Sequence, residues 1–263
     1  DQRWRNQAEF SIALIDAREG RTEQALREFD RIQDGPALFD ARLNAISSLI
    51  IMGKGEEARR RLAAARTEFP QEKVRLYLIE AELLTKQHQS ELAFQLLSEG
   101  VQGSPGQPEL LYSRALLAEQ LNRLDVMEAD LKALIEKTPD DAAALNALGF
   151  SLTVHSPDRL DEAQGYIQRA LAKRPGDPAI LDSYGWVLFR KGKAQEALTP
   201  LKKAYALFPD PEIAAHLGEA LWVSGKRAEA RQIWQDAWRR DPQHHDMQRI
   251  HQAYPEAFTG PVK

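Results

Sequence analysis

Residues 178–209 read PAILDSYGWVLFRKGKAQEALTPLKKAYALFP, and residues 211–242 read PEIAAHLGEALWVSGKRAEARQIWQDAWRRDP. Aligned without a gap, they place apolar or small residues at the same offsets: Leu181 with Ala214, Tyr184 with Leu217, Gly185 with Gly218, Leu188 with Leu221, Gly192 with Gly225, Ala197 with Ala230, Leu201 with Trp234, Ala204 with Ala237 and Pro209 with Pro242. A pattern held this closely twice is a structural repeat. The stretch from Ala142 continues it with Leu145, Leu148, Gly149, Leu152, Ala163, Ile167, Ala170 and Pro175, and takes two extra residues in the turn around His155, Ser156 and Pro157. Prolines mark the period along the chain, at Pro36, Pro70, Pro105, Pro139, Pro175, Pro209 and Pro242, with gaps of 34, 35, 34, 36, 34 and 33 residues. About 34 residues ending in a helix breaker is the length of two short antiparallel helices and their turns.

Each offset has a physical task. The eighth residue of a unit is small (Gly149, Gly185, Gly218, with Ala115 and Ala81 in weaker copies), which lets the first helix of a pair, helix A, touch the second, helix B. The twentieth (Ala58, Ala93, Ala163, Ala197, Ala230) receives that contact. Larger residues at the fourth, seventh, eleventh and twenty-fourth places recur with the 3.6-residue period of amphipathic helices and fill the layer between hairpins. Glycines near the fifteenth place (Gly20, Gly53, Gly192, Gly225) suit a turn after helix A in which φ is positive. On these offsets the chain resembles the tetratricopeptide-repeat (TPR) superfamily over residues 6 to 244. The expected fold is therefore all-α: a TPR solenoid, a right-handed superhelix of antiparallel helix pairs, spanning 1–263 as one domain. About seven repeats are expected, near 6–38, 39–73, 74–107, 108–141, 142–177, 178–210 and 211–244. In the first, Ala25, Phe29 and Ile32 make a good helix B, whereas Glu9 to Asp16 fit the helix A pattern poorly. Residues 245–263 read as a capping helix and tail, with Met247, Ile250 and Tyr254 on one face and Pro255 ending the run.

Composition agrees with a helical array. Of 263 residues, 43% are hydrophobic and 28% charged, and no apolar run is long enough to cross a bilayer. A net charge of −4 argues against nucleic acid as a partner, because phosphate neutralisation needs a basic face. The one basic run, Arg59, Arg60 and Arg61, sits beside Glu56 and Glu57 and reads as a solvated helix surface. With no cysteine there is no disulfide, thiol catalysis or thiolate metal site, which fits an oxidising compartment. The chain opens at Asp1 without an initiator methionine or leader, as expected of a segment of a longer protein whose signal peptide or lipid-attachment cysteine would lie upstream.

Catalytic patterns are missing. There is no HExxH, and Gly185 to Lys193 fails as a phosphate-binding loop because its glycine spacing is wrong and Ala194 stands where Ser or Thr is needed. His244, His245 and His251 can be drawn as a metal cluster, but exposed histidines on a terminal helix explain them better. Asp140 and Asp141 fall in an inter-repeat turn, where capping accounts for them. No enzyme activity, cofactor or metal is expected.

In such a solenoid the concave face is lined by helix A residues not used for packing, mainly the second, fifth, ninth and twelfth of each unit. In the last four units these include Tyr112, Leu116 and Glu119; Asn146, Phe150 and Thr153; Asp182, Trp186 and Phe189; and Ala215, Glu219 and Trp222. Phe150, Trp186, Phe189 and Trp222, rimmed by Asp182 and Glu219, have the composition of a protein-binding hot spot. Tyr112, Leu116 and Asn146 extend the predicted groove. The competing reading hides the rings between adjacent A helices.

The carboxylate clamp of chaperone-binding TPR domains is not matched: its positions hold Ala143, Asn146, Ala147 and Phe150 in one unit and Ala179, Asp182, Ser183 and Trp186 in the next. Nor is an asparagine ladder, since the sixth places read Asn44, Ile79, Ser113, Ala147, Ser183 and His216. A narrower resemblance covers roughly Leu145 to Ala237. The strings LNALGFSL, DRLDEA, DPAILDSYGWVLFRKGK, EALTPLKKAYALFPDPEIAAHLGEALW and EARQIWQDA look like the C-terminal TPR region of large proteobacterial outer-membrane lipoproteins. One member of that family is an adaptor that presents cell-wall hydrolases to a periplasmic carboxyl-terminal processing protease. The resemblance implies a non-catalytic adaptor at the periplasmic face of the outer membrane, anchored by an upstream lipid, with a protein or peptide partner in the groove and the protease docked elsewhere. The alternatives are a cytoplasmic location, a structural scaffold for pilus or secretion assembly that binds through convex helix B surfaces, and the recruiting arm of an upstream enzyme.

Overall fold

The computed structural model describes residues 2–259, with side chains from Asn6 onward. The described residues form fifteen α-helices and no strand. In order these are α1 (Gln2–Arg18), α2 (Thr22–Arg31), α3 (Leu38–Ile51), α4 (Gly55–Glu68), α5 (Lys73–Lys86), α6 (Ser90–Gly103), α7 (Pro108–Gln120), α8 (Leu124–Lys137), α9 (Ala142–His155), α10 (Leu160–Lys173), α11 (Pro178–Arg190), α12 (Ala194–Leu207), α13 (Pro211–Val223), α14 (Arg227–Arg240) and α15 (His245–Ala253). Odd-numbered helices from α1 to α13 are the A helices, and even-numbered ones the B helices. The insertion after α9 folds as a 3₁₀ turn, Pro157–Arg159, so it lengthens the connection and leaves both helices intact.

Local chemistry sets the ends of these helices. Pro108, Pro178 and Pro211 occupy first-turn positions, where a missing N–H costs nothing. Asp141, Asp177 and Asp210 cap α9, α11 and α13, accepting hydrogen bonds from backbone N–H groups two or three residues on. After helix A the chain reverses through a residue with positive φ. Gly20, Gly53, Gly192 and Gly225 do this, and His88 and Asn122 do it at the same repeat place, with φ of 58° and 56°. Asn and His are among the non-glycine residues that tolerate this region best.

The repeat offsets become contacts. Ala58, Ala93, Ala163, Ala197 and Ala230 are all fully buried. A Cβ added at Gly149 would lie 2.9 Å from the Ala163 carbonyl oxygen, and one at Gly185 would lie 3.2 Å from that of Ala197. At Gly218 it would collide with the Trp234 indole. The backbones of helix A and helix B thus approach as closely as glycine permits.

The helices fall into two compact units, one reaching Met127 and one starting at Glu128, with the boundary inside α8. In a stack each hairpin buries surface only against its neighbours, so no shared core makes one body of the whole length. The first unit is built on apolar clusters of described residues. They centre on Phe29 and Ala45, on Leu49, Leu62 and Leu76, and on Leu84, Leu97 and Leu110. Against the sequence pattern, Glu9 to Asp16 lie inside a regular α1, with Asp16 buried against Arg21. In the second unit a large cluster includes Leu201, Leu217, Leu221 and Trp234, and α15 closes it with fully buried Met247 and Ile250. The predicted tail beyond residue 259 lies outside the described residues.

Candidate protein-binding groove

The predicted groove residues do not form one site. Tyr112 and Leu116 lie on α7 of the first unit, half-buried and exposed respectively; the other seven belong to the second. There the rings sort into two groups.

The first group spans α9, α11 and α13. Trp186 stacks on Phe189 one turn along α11, with centroids 5.1 Å apart, and on His216 of α13 at 4.0 Å. Phe150 of α9 approaches the same imidazole at 6.2 Å. His216 Nδ1 meets Asp182 Oδ2 at 2.8 Å. The imidazole is therefore a hub joining the A helices of consecutive repeats. Burial alone disfavours its charged form, but the carboxylate of Asp182 and its hydrogen bond, with Glu212 and Asp246 also acting on it, outweigh burial and move the pKa above its ordinary value.

The second group surrounds Trp222, which packs on Trp234 at 5.6 Å and on Tyr254 at 5.5 Å. Nearby, Glu219 receives two hydrogen bonds from the Arg249 guanidinium, at 3.0 and 3.2 Å, and lies 3.5 Å from the Tyr254 hydroxyl.

Two sequence expectations need correction. Trp186 is only 8% exposed, because His216 and Phe189 cover its faces; it shapes the wall more than it presents a free indole. Asp182 and Glu219 are not an exposed acidic rim. They are buried, and side chains of the next helices, His216 and Arg249, hold them. Phe150, Phe189 and Trp222 keep part of their surface in solvent, as does Asn146, whose Oδ1 has no hydrogen-bond partner. The His216 hub was missed, although its signal is present: an acid at the fifth place of one unit and a histidine at the sixth place of the next.

The first unit handles the same layer differently. At the seventh place of its third repeat stands Glu80, 3% exposed, clamped by Arg59 (3.2 Å) and by Arg66, whose guanidinium also lies 4.6 Å from the Tyr77 ring centre. Its inner helices α3 and α5 border an open cleft of about 260 Å³, lined by Asp40, Leu43, Asn44, Ser47, Arg75 and Ile79. That lining is more polar than the aromatic wall.

Of the three histidines considered as a metal cluster, His244 and His245 gather with Asp246, their donor atoms within 4.8 Å of one another. His251 stacks on Trp238 instead. His244 Nδ1 accepts the Asp246 backbone N–H as the cap of α15, and His245 Nε2 lies 3.1 Å from Asp246 Oδ2. These groups already partner one another at a helix N-terminus, whose partial positive charge disfavours a cation.

A tetratricopeptide repeat family model matches residues 158–211. A TPR protein from Parabacteroides merdae superposes over 94% of this chain and 97% of its own, with a TM-score of 0.71 at 16% identity. The chain is a TPR solenoid. YrrB, described as a TPR protein with an unusual peptide-binding site, covers 70% of this chain and 91% of its own, with a TM-score of 0.52 at 18% identity. In sequence, the TPR repeat-containing protein PA4667 of Pseudomonas aeruginosa is 40% identical over 212 residues, 81% of this TPR chain. The chain spans 36% of that relative's length. TPR repeats serve as protein-interaction scaffolds that bind protein or peptide partners. No described helix is long and apolar enough to cross a membrane.

Proposed function

We propose that this TPR chain is the partner-binding region of a non-catalytic adaptor, and that its helix A face in the second unit holds a client polypeptide. The observation that carries this reading is the run of partly exposed rings on consecutive A helices: Phe150 and Phe189, set in place by the buried Trp186–His216–Asp182 contact, and Trp222, packed on Trp234 and Tyr254. Rigid aromatic surface on a preformed wall binds with little loss of side-chain entropy. The likeness of Leu145 to Ala237 to outer-membrane lipoprotein TPR regions supports a periplasmic setting with an upstream lipid anchor. It also supports a carboxyl-terminal processing protease and its cell-wall hydrolase substrates as the partners. The peptide site named for YrrB is a precedent for the same fold.

The test is reconstitution. The purified chain is mixed with a carboxyl-terminal processing protease and a cell-wall hydrolase from the same organism, and complex formation and hydrolase degradation are followed. The adaptor reading expects faster degradation with wild type, and loss of hydrolase binding in Phe150→Ala/Phe189→Ala with helicity unchanged. Full hydrolase binding by that variant removes the aromatic wall from the account, and no complex with either protein removes the protease role. A structural scaffold acting through its helix B surface is favoured by one feature, exposed Leu207 and Phe208 at the end of α12 (54% and 56%). It expects Leu207→Ser/Phe208→Ser to abolish binding instead.

A further inference from the structure

The aromatic wall of the second unit carries an unbalanced charge. Its acids are spent internally, Asp182 on His216 and Glu219 on Arg249. Its cations are not. Arg190, at the end of α11, lies 5.9 Å from the centre of the Trp186 ring, and Arg227 and Arg231, at the start of α14, lie 5.1 and 6.0 Å from that of Trp222. None of the three forms an ion pair or a hydrogen bond among the described residues, and the Arg231 Nε is buried with no acceptor. Of the neighbouring lysines, Lys191 is paired with Asp161, Lys193 with Glu196 and Lys202 with Glu229, whereas Lys226 beside Arg227 adds a further cation. Three uncompensated guanidiniums therefore stand at these rings, in a chain whose net charge is −4.

Repeat register brings the two arginine–indole pairs to the same edge of the stack. Phe189 and Trp222 both stand at the twelfth place of their units, Arg190 and Val223 at the thirteenth, and Arg227 opens α14 just after the turn. Val223 is 62% exposed there. Along this edge apolar surface alternates with guanidinium groups held over aromatic faces, where each keeps donors free for a carboxylate.

We propose that this edge receives an acidic polypeptide segment of the client, with its carboxylates between Arg190 and Arg227 and a large apolar side chain against Phe189, Trp222 and Val223. The proposal rests on the reading that the aromatic wall is the client site, and it names the chemistry of that client. Charge complementarity decides the occupant: a basic segment would meet like charge, and the alternation of rings and cations suits side chains alternating along an extended chain.

The experiment uses short fluorescein-labelled peptides in which Glu alternates with Leu and Phe, with matched peptides carrying Gln or Lys in place of Glu, and reads anisotropy on the whole chain. The acidic peptide is expected to bind about tenfold or more tighter than the Gln peptide. That advantage should vanish in Arg190→Glu/Arg227→Glu and in the milder Arg190→Gln/Arg227→Gln, and in about 1 M salt, where screening acts within about 3 Å. Circular dichroism checks that both variants fold. Equal binding of the Glu and Gln peptides, with loss of both in Phe189→Ala/Trp222→Ala, overturns the charge inference and leaves the aromatic client site standing. Tighter binding of the Lys peptide, or of single-stranded DNA or anionic lipid vesicles than of the Glu peptide, also overturns it. Failure of every peptide to bind wild type removes both readings.

Discussion

The two compact units solve one packing problem in two ways, and the difference lies in the layer between successive repeats. In the second unit that layer is closed by rings and one His–Asp pair, and its helix A–helix B contacts run over Gly149, Gly185 and Gly218. In the first, the equivalent eighth places hold Ile46, Ala81 and Ala115, and the layer includes a carboxylate, Glu80, clamped by two arginines. A stack can therefore tolerate a buried charge if it is paired on more than one side. The aromatic solution leaves ring surface at its edge for another chain, whereas the ionic one consumes its polar groups internally.

The sharpest way to break this comparison is to fill a glycine of the second unit. Gly218→Val drives a side chain into the fully buried Trp234, and its expected cost is about 3 kcal/mol, read by urea unfolding. Four of the five tryptophans (Trp186, Trp222, Trp234, Trp238) lie in the second unit, so indole fluorescence follows its unfolding selectively. Nearly as large is Glu80→Ala, which strands Arg59 and Arg66 and should cost about 3 kcal/mol in the first unit by circular dichroism. Replacing all three members, Arg59→Met/Glu80→Leu/Arg66→Met, should recover most of that loss, since apolar side chains of similar size need no charge compensation.

Next in size is the His216–Asp182 pair. A histidine whose pKa is raised by folding stabilises fully below its unfolded value, near 6.5, and that contribution is lost as pH rises through the folded value. Glu212, raised chiefly by burial with His216 pulling the other way, acts with the same sign from the ordinary carboxylate range upward. The tryptophan-detected Tm should therefore fall as pH rises past neutrality, and Asp182→Asn should flatten the decline. The smallest effect has the opposite sign. Glu128 is held at about 2 by hydrogen bonds from Arg159, which outweigh its burial, with Lys132 adding to them. Its contribution is present above the usual carboxylate range and is lost as pH falls toward 2. Because both side chains reach solvent, Arg159→Gln should cost about 0.5 kcal/mol at pH 7.

The hairpins were legible because the repeat tests each assignment several times over. A glycine at the eighth place means little once, but three of them opposite three buried alanines fix how two helices meet. The turn after helix A was only half legible: His88 and Asn122 adopt the positive φ expected of glycine, and they could have been found only by trusting the fifteenth place over residue type. The groove was least legible. Helical periodicity places Trp186, Asp182 and Glu219 on the inner side of their helices, yet it does not say how far the next repeat covers them. That depends on which partner, His216 or Arg249, stands about one repeat away. The free cations of the edge were equally hidden, because whether an arginine is spent on an acid is decided by pairings across helices.

The central claim is that the ring-bearing A helices of the second unit hold the client. Hydrogen exchange on the chain with and without bound hydrolase tests it most directly. The account predicts new protection concentrated in α9, α11 and α13 and at the start of α14, with α10 and α12 unchanged. Protection confined to α10, α12 and the rest of α14 would contradict it.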